Sequence, residues 1–216
     1  MATTKATVSV IADDAVGTAQ IADNAITNAL MADDAVGVAE LSATGTASAT
    51  TFLRGDNAWA APVGITHATQ QATTSGTAID FTSIPAGTKR ITIMFSGVST
   101  NGTSDILVQL GDSGGVETSG YLSSAASGTS NVDSTAGFII TQGNTAAAVW
   151  GGSVTLNLQN AASFSWVGGC LFSAAGAVVR LSSGEKALSA ELDRVRITMV
   201  NGTDAFDAGA INISYE

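Results

Sequence analysis

Ile11-Ala12-Asp13-Asp14-Ala15-Val16-Gly17-Thr18-Ala19-Gln20 is followed by Ile21-Ala22-Asp23-Asn24-Ala25-Ile26-Thr27-Asn28-Ala29-Leu30. Met31-Ala32-Asp33-Asp34-Ala35-Val36-Gly37-Val38-Ala39-Glu40 comes third, and Leu41 opens a further copy that stops at once. Ten residues is neither the heptad nor the eleven-residue period that winds helices together. On a straight helix, positions 1 and 6 of each unit would lie about 140° apart, so no seam forms. Ten residues along a strand return position 1 to the same face. Asp-Asp and Asp-Asn are turn formers, because their side chains bond nearby amides. Each unit therefore reads as a short extended piece plus a turn; a short capped helical turn starting at the Asp is the alternative.

One such chain is a thin rod with about one large aliphatic per five residues, too little apolar surface to offset its ordering entropy. Partner chains must supply the rest, and closed symmetric oligomers are the usual solution. Ile11, Val16, Ile21, Ile26, Met31, Val36 and Leu41 are the expected contacts between chains. Their regular spacing argues against a disordered linker.

Outward from the rod, residues 1–9 are small and polar and read as an anchoring peptide. Residues 10–44 are the shaft and 45–64 a connector. In the connector, Thr51-Phe52-Leu53-Arg54-Gly55-Asp56-Asn57-Ala58-Trp59 places a Gly-Asp-Asn turn between bulky side chains. Phe52, Leu53 and Trp59 call for a shared pocket, most naturally between chains around an axis. Arg54-Gly55-Asp56 also spells an integrin tripeptide, which three residues match by chance.

Residues 65–216 read as a β-rich head. Strands are expected near 65–73, 78–81, 89–98, 105–110, 137–141, 153–159, 164–173, 177–182, 192–200 and 210–215, bounded by Gly, Asn, Asp and Ser. Val154-Thr155-Leu156-Asn157-Leu158-Gln159 alternates throughout, and Arg194 and Arg196 oppose Val195, Ile197 and Met199. Short strands at this spacing predict an antiparallel β-sandwich of jelly-roll type.

The decapeptide run followed by the Phe52-Leu53-Arg54-Gly55-Asp56-x-x-Trp59 connector resembles bacteriophage tail fibres. The C-terminal end is similar as well: Leu192-Asp193-Arg194-Val195-Arg196-Ile197-Thr198, then Val200-Asn201-Gly202-Thr203-Asp204-Ala205-Phe206-Asp207-Ala208-Gly209, closing on Ile211-Asn212-Ile213-Ser214-Tyr215-Glu216. The resemblance implies a homotrimer whose tip recognises a glycan or protein of the host surface. It also implies an N-terminus held by other virion proteins of the tail or baseplate. The expected whole is mainly β: a fibrous repeat shaft, then a sandwich head, carried on the virion tail. The alternative is a virion head fibre or decoration protein without receptor binding.

Composition bounds the function. Eighteen acidic and eight basic residues leave a net charge of −10, which argues against nucleic acid and anionic membranes. No apolar run approaches the ~20 residues of a membrane span. The N-terminus lacks the apolar core of a signal peptide, so synthesis in a host cytoplasm and release by lysis are expected. That makes chance matches of the two Asn-Gly-Thr sequons at 101 and 201.

No enzyme is expected. His67 is the one histidine and has no nucleophile elbow to serve. A polysaccharide-cleaving tip would need two carboxylates ~5–10 Å apart, and spacing singles out no pair. Cys170 is the one cysteine and reads as inert core. Asp13-Asp14 and Asp33-Asp34 would form carboxylate rings in a trimer, but turn capping explains them more simply, so neither metal nor cofactor is expected. Sugar recognition uses aromatic faces on loops. Trp150, beside Gly151 and Gly152, and Tyr121, after Gly120, are the expected receptor contacts.

Overall fold

Alternation of apolar and polar residues sets most of the strands. A computed structural model describes residue 21 and residues 41–62, 64–174 and 178–216. The chain divides into two units, one ending at Pro62 and one running to Glu216.

In the first unit, β1 (Phe52–Leu53) and β2 (Trp59–Ala60) form an antiparallel hairpin with Leu53 opposite Trp59. The turn expected at 55–57 joins them. Arg54 N–H donates to Ala58 O at 2.9 Å. Asn57 sits at φ 59°, a left-handed conformation that Asn tolerates, and its side-chain amide donates to Leu41 O at 3.1 Å.

The second unit holds β3 (Thr66–His67), β4 (Gln71–Ala72), β5 (Ala78–Phe81), β6 (Arg90–Thr100), β7 (Ile106–Asp112), β8 (Gly115–Val116) and β9 (Tyr121–Ser127). It continues with β10 (Ser130–Ser134), β11 (Phe138–Ile139), β12 (Trp150–Asn160), β13 (Ser165–Ala174), β14 (Val178–Ala187), β15 (Leu192–Met199) and β16 (Phe206–Tyr215). One nine-stranded sheet runs β10-β9-β14-β13-β12-β6-β16-β3, with β4 also on β16. A five-stranded sheet runs β11-β7-β15-β5, with β8 on β7. The named strands pair antiparallel, and no helix occurs among the described residues, so the protein is mainly β.

Both sheets feed one core. Ile91, Ile93, Leu156 and Ile213 of the large sheet cluster with Val108, Leu110, Val195 and Ile197 of the small one. The two arginines of β15 stay outside: Arg196 pairs with Asp80 at 2.7 Å and Arg194 with Asp193 at 2.7 Å.

Two expectations change. The single strand expected over 65–73 is two short pieces, β3 and β4, both on β16. The hairpin β9–β10 had not been expected, because its Ser and Ala side chains carry almost no hydropathy contrast. It turns at Gly128 (φ 59°).

Candidate functional site

Strand pairing turns the outer face of the large sheet into rows. On β9, Tyr121, Ser123 and Ala125 are buried, so Leu122, Ser124 and Ala126 point out. On β14, Arg180 and Lys186 are buried while Val179, Leu181, Ser183 and Glu185 are exposed. One row joins Leu122, Glu185, Val167 and Asn157 across β9, β14, β13 and β12. The next joins Asp133, Ser124, Ser183 and Gly169, and Thr155, Thr92 and Ser214 continue it. A third joins Ala126, Leu181, Leu171 and Ser153.

The first row floors a groove. Two adjoining hollows of about 630 and 460 Å³ share Leu122, Val167 and Glu185. Asp133, Ser124, Thr135 and Ser183 line the larger, and Gln159, Ser165 and Lys186 the smaller. Leu122 is 69% exposed, the most open large aliphatic among the described residues. Gly184 keeps β14 close to the core beneath the groove: a Cβ there would point inward, 2.8 Å from Ser123 Cβ and 3.0 Å from Phe138 Cδ1.

Behind the groove lies a partly buried polar cluster. Lys186 Nζ is 2.5 Å from Glu117 Oε2 and 5.2 Å from the centre of the Tyr121 ring. Ser189 ties two carboxylates together: its amide donates to Glu117 Oε1 at 2.7 Å and its hydroxyl to Asp112 Oδ2 at 2.5 Å. The Ser189 hydroxyl, with the Gly114 amide, holds the Asp112 carboxyl below its ordinary range. Burial pushes Glu117 up, but the bonds from Lys186 and Ser189 together outweigh it, and its carboxyl also sits below the ordinary value.

The sign follows from the direction of both shifts. A carboxyl depressed on folding contributes stability that is full above its unfolded value and is lost as pH falls through the folded one. The unfolded values are 3.8 for Asp112 and 4.5 for Glu117. Melting temperature should therefore be insensitive to these groups down to about pH 5 and fall on further acidification. Asp112→Asn should make that acid limb shallower, as read by melts from neutral pH down to about pH 3.

The expected receptor aromatics are not on the surface, which corrects both. Trp150 is 1% exposed. It opens a central strand, donates from Nε1 to Asn144 Oδ1 at 2.8 Å, and lies 5.6 Å from the Arg180 guanidinium. The glycines beside it mark a β-bulge, where Gly152 adopts φ 144°, not a loop edge. Tyr121 is 3% exposed. Its hydroxyl accepts from Leu110 N–H at 2.7 Å and donates to Glu117 O at 2.9 Å, and burial pushes the phenol up. Neither ring presents a face to a ligand.

Of the expected chain contacts, Ile11, Val16, Ile26, Met31 and Val36 lie outside the described residues, as do the Asp pairs of the repeats. Ile21, Phe52 and Leu53 are exposed, and Leu41 and Trp59 half-buried. The Trp59 indole nitrogen is buried without a hydrogen-bond partner among the described residues. His67 is exposed on β3. Cys170 is buried beside Ser182, and burial pushes its thiol up to about 11. Among the described residues no cluster of three or more His, Cys, Asp or Glu could hold a metal ion, and no helix is long and apolar enough to cross a membrane.

Leu122, Val167 and Glu185 were not singled out in the sequence. In Leu122-Ser123-Ser124-Ala125-Ala126 one large residue precedes four small ones, so neither size nor polarity alternates to mark the outward face. Asp133 and Glu185 are the carboxylates that the groove brings together. They stand two strands and two residues apart, so their Cα atoms are about 12 Å apart by sheet geometry. No protein-family model, no curated protein and no solved structure matches this chain.

Proposed function

We propose that this chain is a homotrimeric bacteriophage tail fibre whose head attaches the virion to the host cell surface through the groove on the nine-stranded sheet. The groove is the observation that carries it. An apolar floor of Leu122 and Val167 sits between Asp133, Glu185, Gln159 and several hydroxyls, the mixture a sugar or polar peptide needs. The likeness of repeats, connector and C-terminal end to tail fibres supports the same assignment.

In this account the decapeptide run is the shaft, residues 1–9 engage other virion proteins, and the head is a jelly-roll-like sandwich. Three grooves per fibre, and several fibres per virion, multiply a weak single-site affinity through effective concentration.

The test is binding of the purified full chain to an array of bacterial surface polysaccharides and to host envelope extracts. Leu122→Lys, at an exposed position, should leave the melting temperature unchanged and weaken retention at least tenfold. Undiminished binding by that variant would remove the groove from the account. Binding to no surface component would favour a decoration protein, and release of reducing sugar would replace attachment with cleavage.

A further inference from the structure

The outer face of β14 runs against the usual pattern. Its inward positions carry Arg180 and Lys186, both buried, and its outward ones carry Val179 and Leu181, both more than half exposed. Arg180 is held inside by donating to Gln142 O at 2.6 Å and to Ser127 Oγ. Leu181 is paired directly with Leu171, which is 61% exposed, and on its other side with Ala126. A strand that turns cations inward and aliphatics outward on a solvent-facing sheet is unusual, and contiguous exposed apolar surface marks an interaction site.

We propose that this patch, centred on Leu171, Leu181 and Val179, is where the head packs against a second copy of this chain. The proposal deepens the association part of the tail-fibre assignment and rests on it. Three observations favour a second copy as the occupant. The chain has a net charge of −10, so copies repel over most of their surface; the patch carries no charged side chain, and its nearest carboxylates, Asp133 and Glu185, belong to the groove rows. The patch sets knobs beside hollows: Leu171 and Leu181 stand next to Ser173, Ser153 and Gly169, so the same surface can receive its own side chains. Its central row continues to Asn131 on one side and to Met94 and Asn212 on the other, over seven strands, or roughly 29 Å at ~4.8 Å per strand. The ~800 Å² that each partner gives a standard interface is itself about 30 Å across.

Leu181 lies four residues along β14 from Glu185, about 13 Å, so packing here leaves the groove at the rim of the contact. The groove of one copy would then open beside its neighbour.

Thiol accessibility in the full-length chain tests this. Leu181→Cys and Ser173→Cys place a thiol in the patch, and Val200→Cys places one at an exposed site in the turn after β15. The native Cys170 is buried and gives the baseline. Alkylation by a maleimide should be at least tenfold slower at Leu181→Cys and Ser173→Cys than at Val200→Cys, in samples whose sedimentation mass is a multiple of 21.5 kDa. Equal rates at a multiple mass would overturn the patch and leave the fibre assignment standing. Slow rates at a single-chain mass would show that the chain covers its own patch and would overturn the proposal. Equal rates at a single-chain mass would overturn both.

Discussion

Gly168→Val should cost the head a large part of its stability. Gly168 lies at the centre of β13, opposite Leu156 on β12 and Gly184 on β14. A Cβ there would be driven into the Thr155 carbonyl oxygen, 2.8 Å from Leu156 Cδ2 and 3.0 Å from Leu156 Cα. Two of these neighbours are backbone of a central strand, and they can move only if the β12–β13 ladder parts. Overpacking a core commonly costs ~1–3 kcal/mol; displacing a ladder adds to this, and a loss of about 4 kcal/mol or more is expected. A single domain has only ~5–15 kcal/mol to lose. A thermal melt reads the outcome: the transition of Gly168→Val should fall by about 8–16 °C or more. Gly64→Ala, where a Cβ meets nothing within 4 Å, should melt with the parent.

Lys186→Met is the second large effect. The methionine fills much the same volume but leaves Glu117 without its cation. Removing one member of a buried pair costs ~3–5 kcal/mol, because the other charge stays behind desolvated. The low end, about 3 kcal/mol, is expected here, because the Glu117 side chain is 23% exposed and keeps the Ser189 amide. Lys186→Met combined with Glu117→Leu should recover a good part of that loss, since an apolar pair leaves no charge stranded. Denaturant titration of the two single variants and the double variant measures this as a coupling energy. A double variant as unstable as the sum of the singles would contradict the pairing.

The sequence spelled out much of the head and little of the groove, and the reason lies in side-chain contrast. β5 was expected at 78–81 and runs Ala78–Phe81; β15 was expected at 192–200 and runs Leu192–Met199. In β15 large aliphatics alternate with charges, so period and face are both readable. In β9 and β10 eight of the twelve residues are Ser, Ala or Asn, so neither size nor polarity alternates enough to give a signal. β14 was legible as a strand but not as a face. Its two cations point inward because Gln142 O, Ser127 and Glu117 receive them there, and those partners come from distant parts of the chain. Trp150 misled for a related reason: glycines flank it because the strand bulges, and bulges and loops share that composition. The chain also crosses repeatedly between sheets, as β6 to β7 and β14 to β15 show. Which rows line up on the outer face depends on those long-range registers.

The proposed function rests on association of the chain into a trimer, and the mass of the full-length chain at micromolar concentration tests that proposal most directly. Sedimentation equilibrium should return three times 21.5 kDa, with the β-sheet signal of a folded head. A folded head at 21.5 kDa, unchanged as concentration rises, would contradict the account.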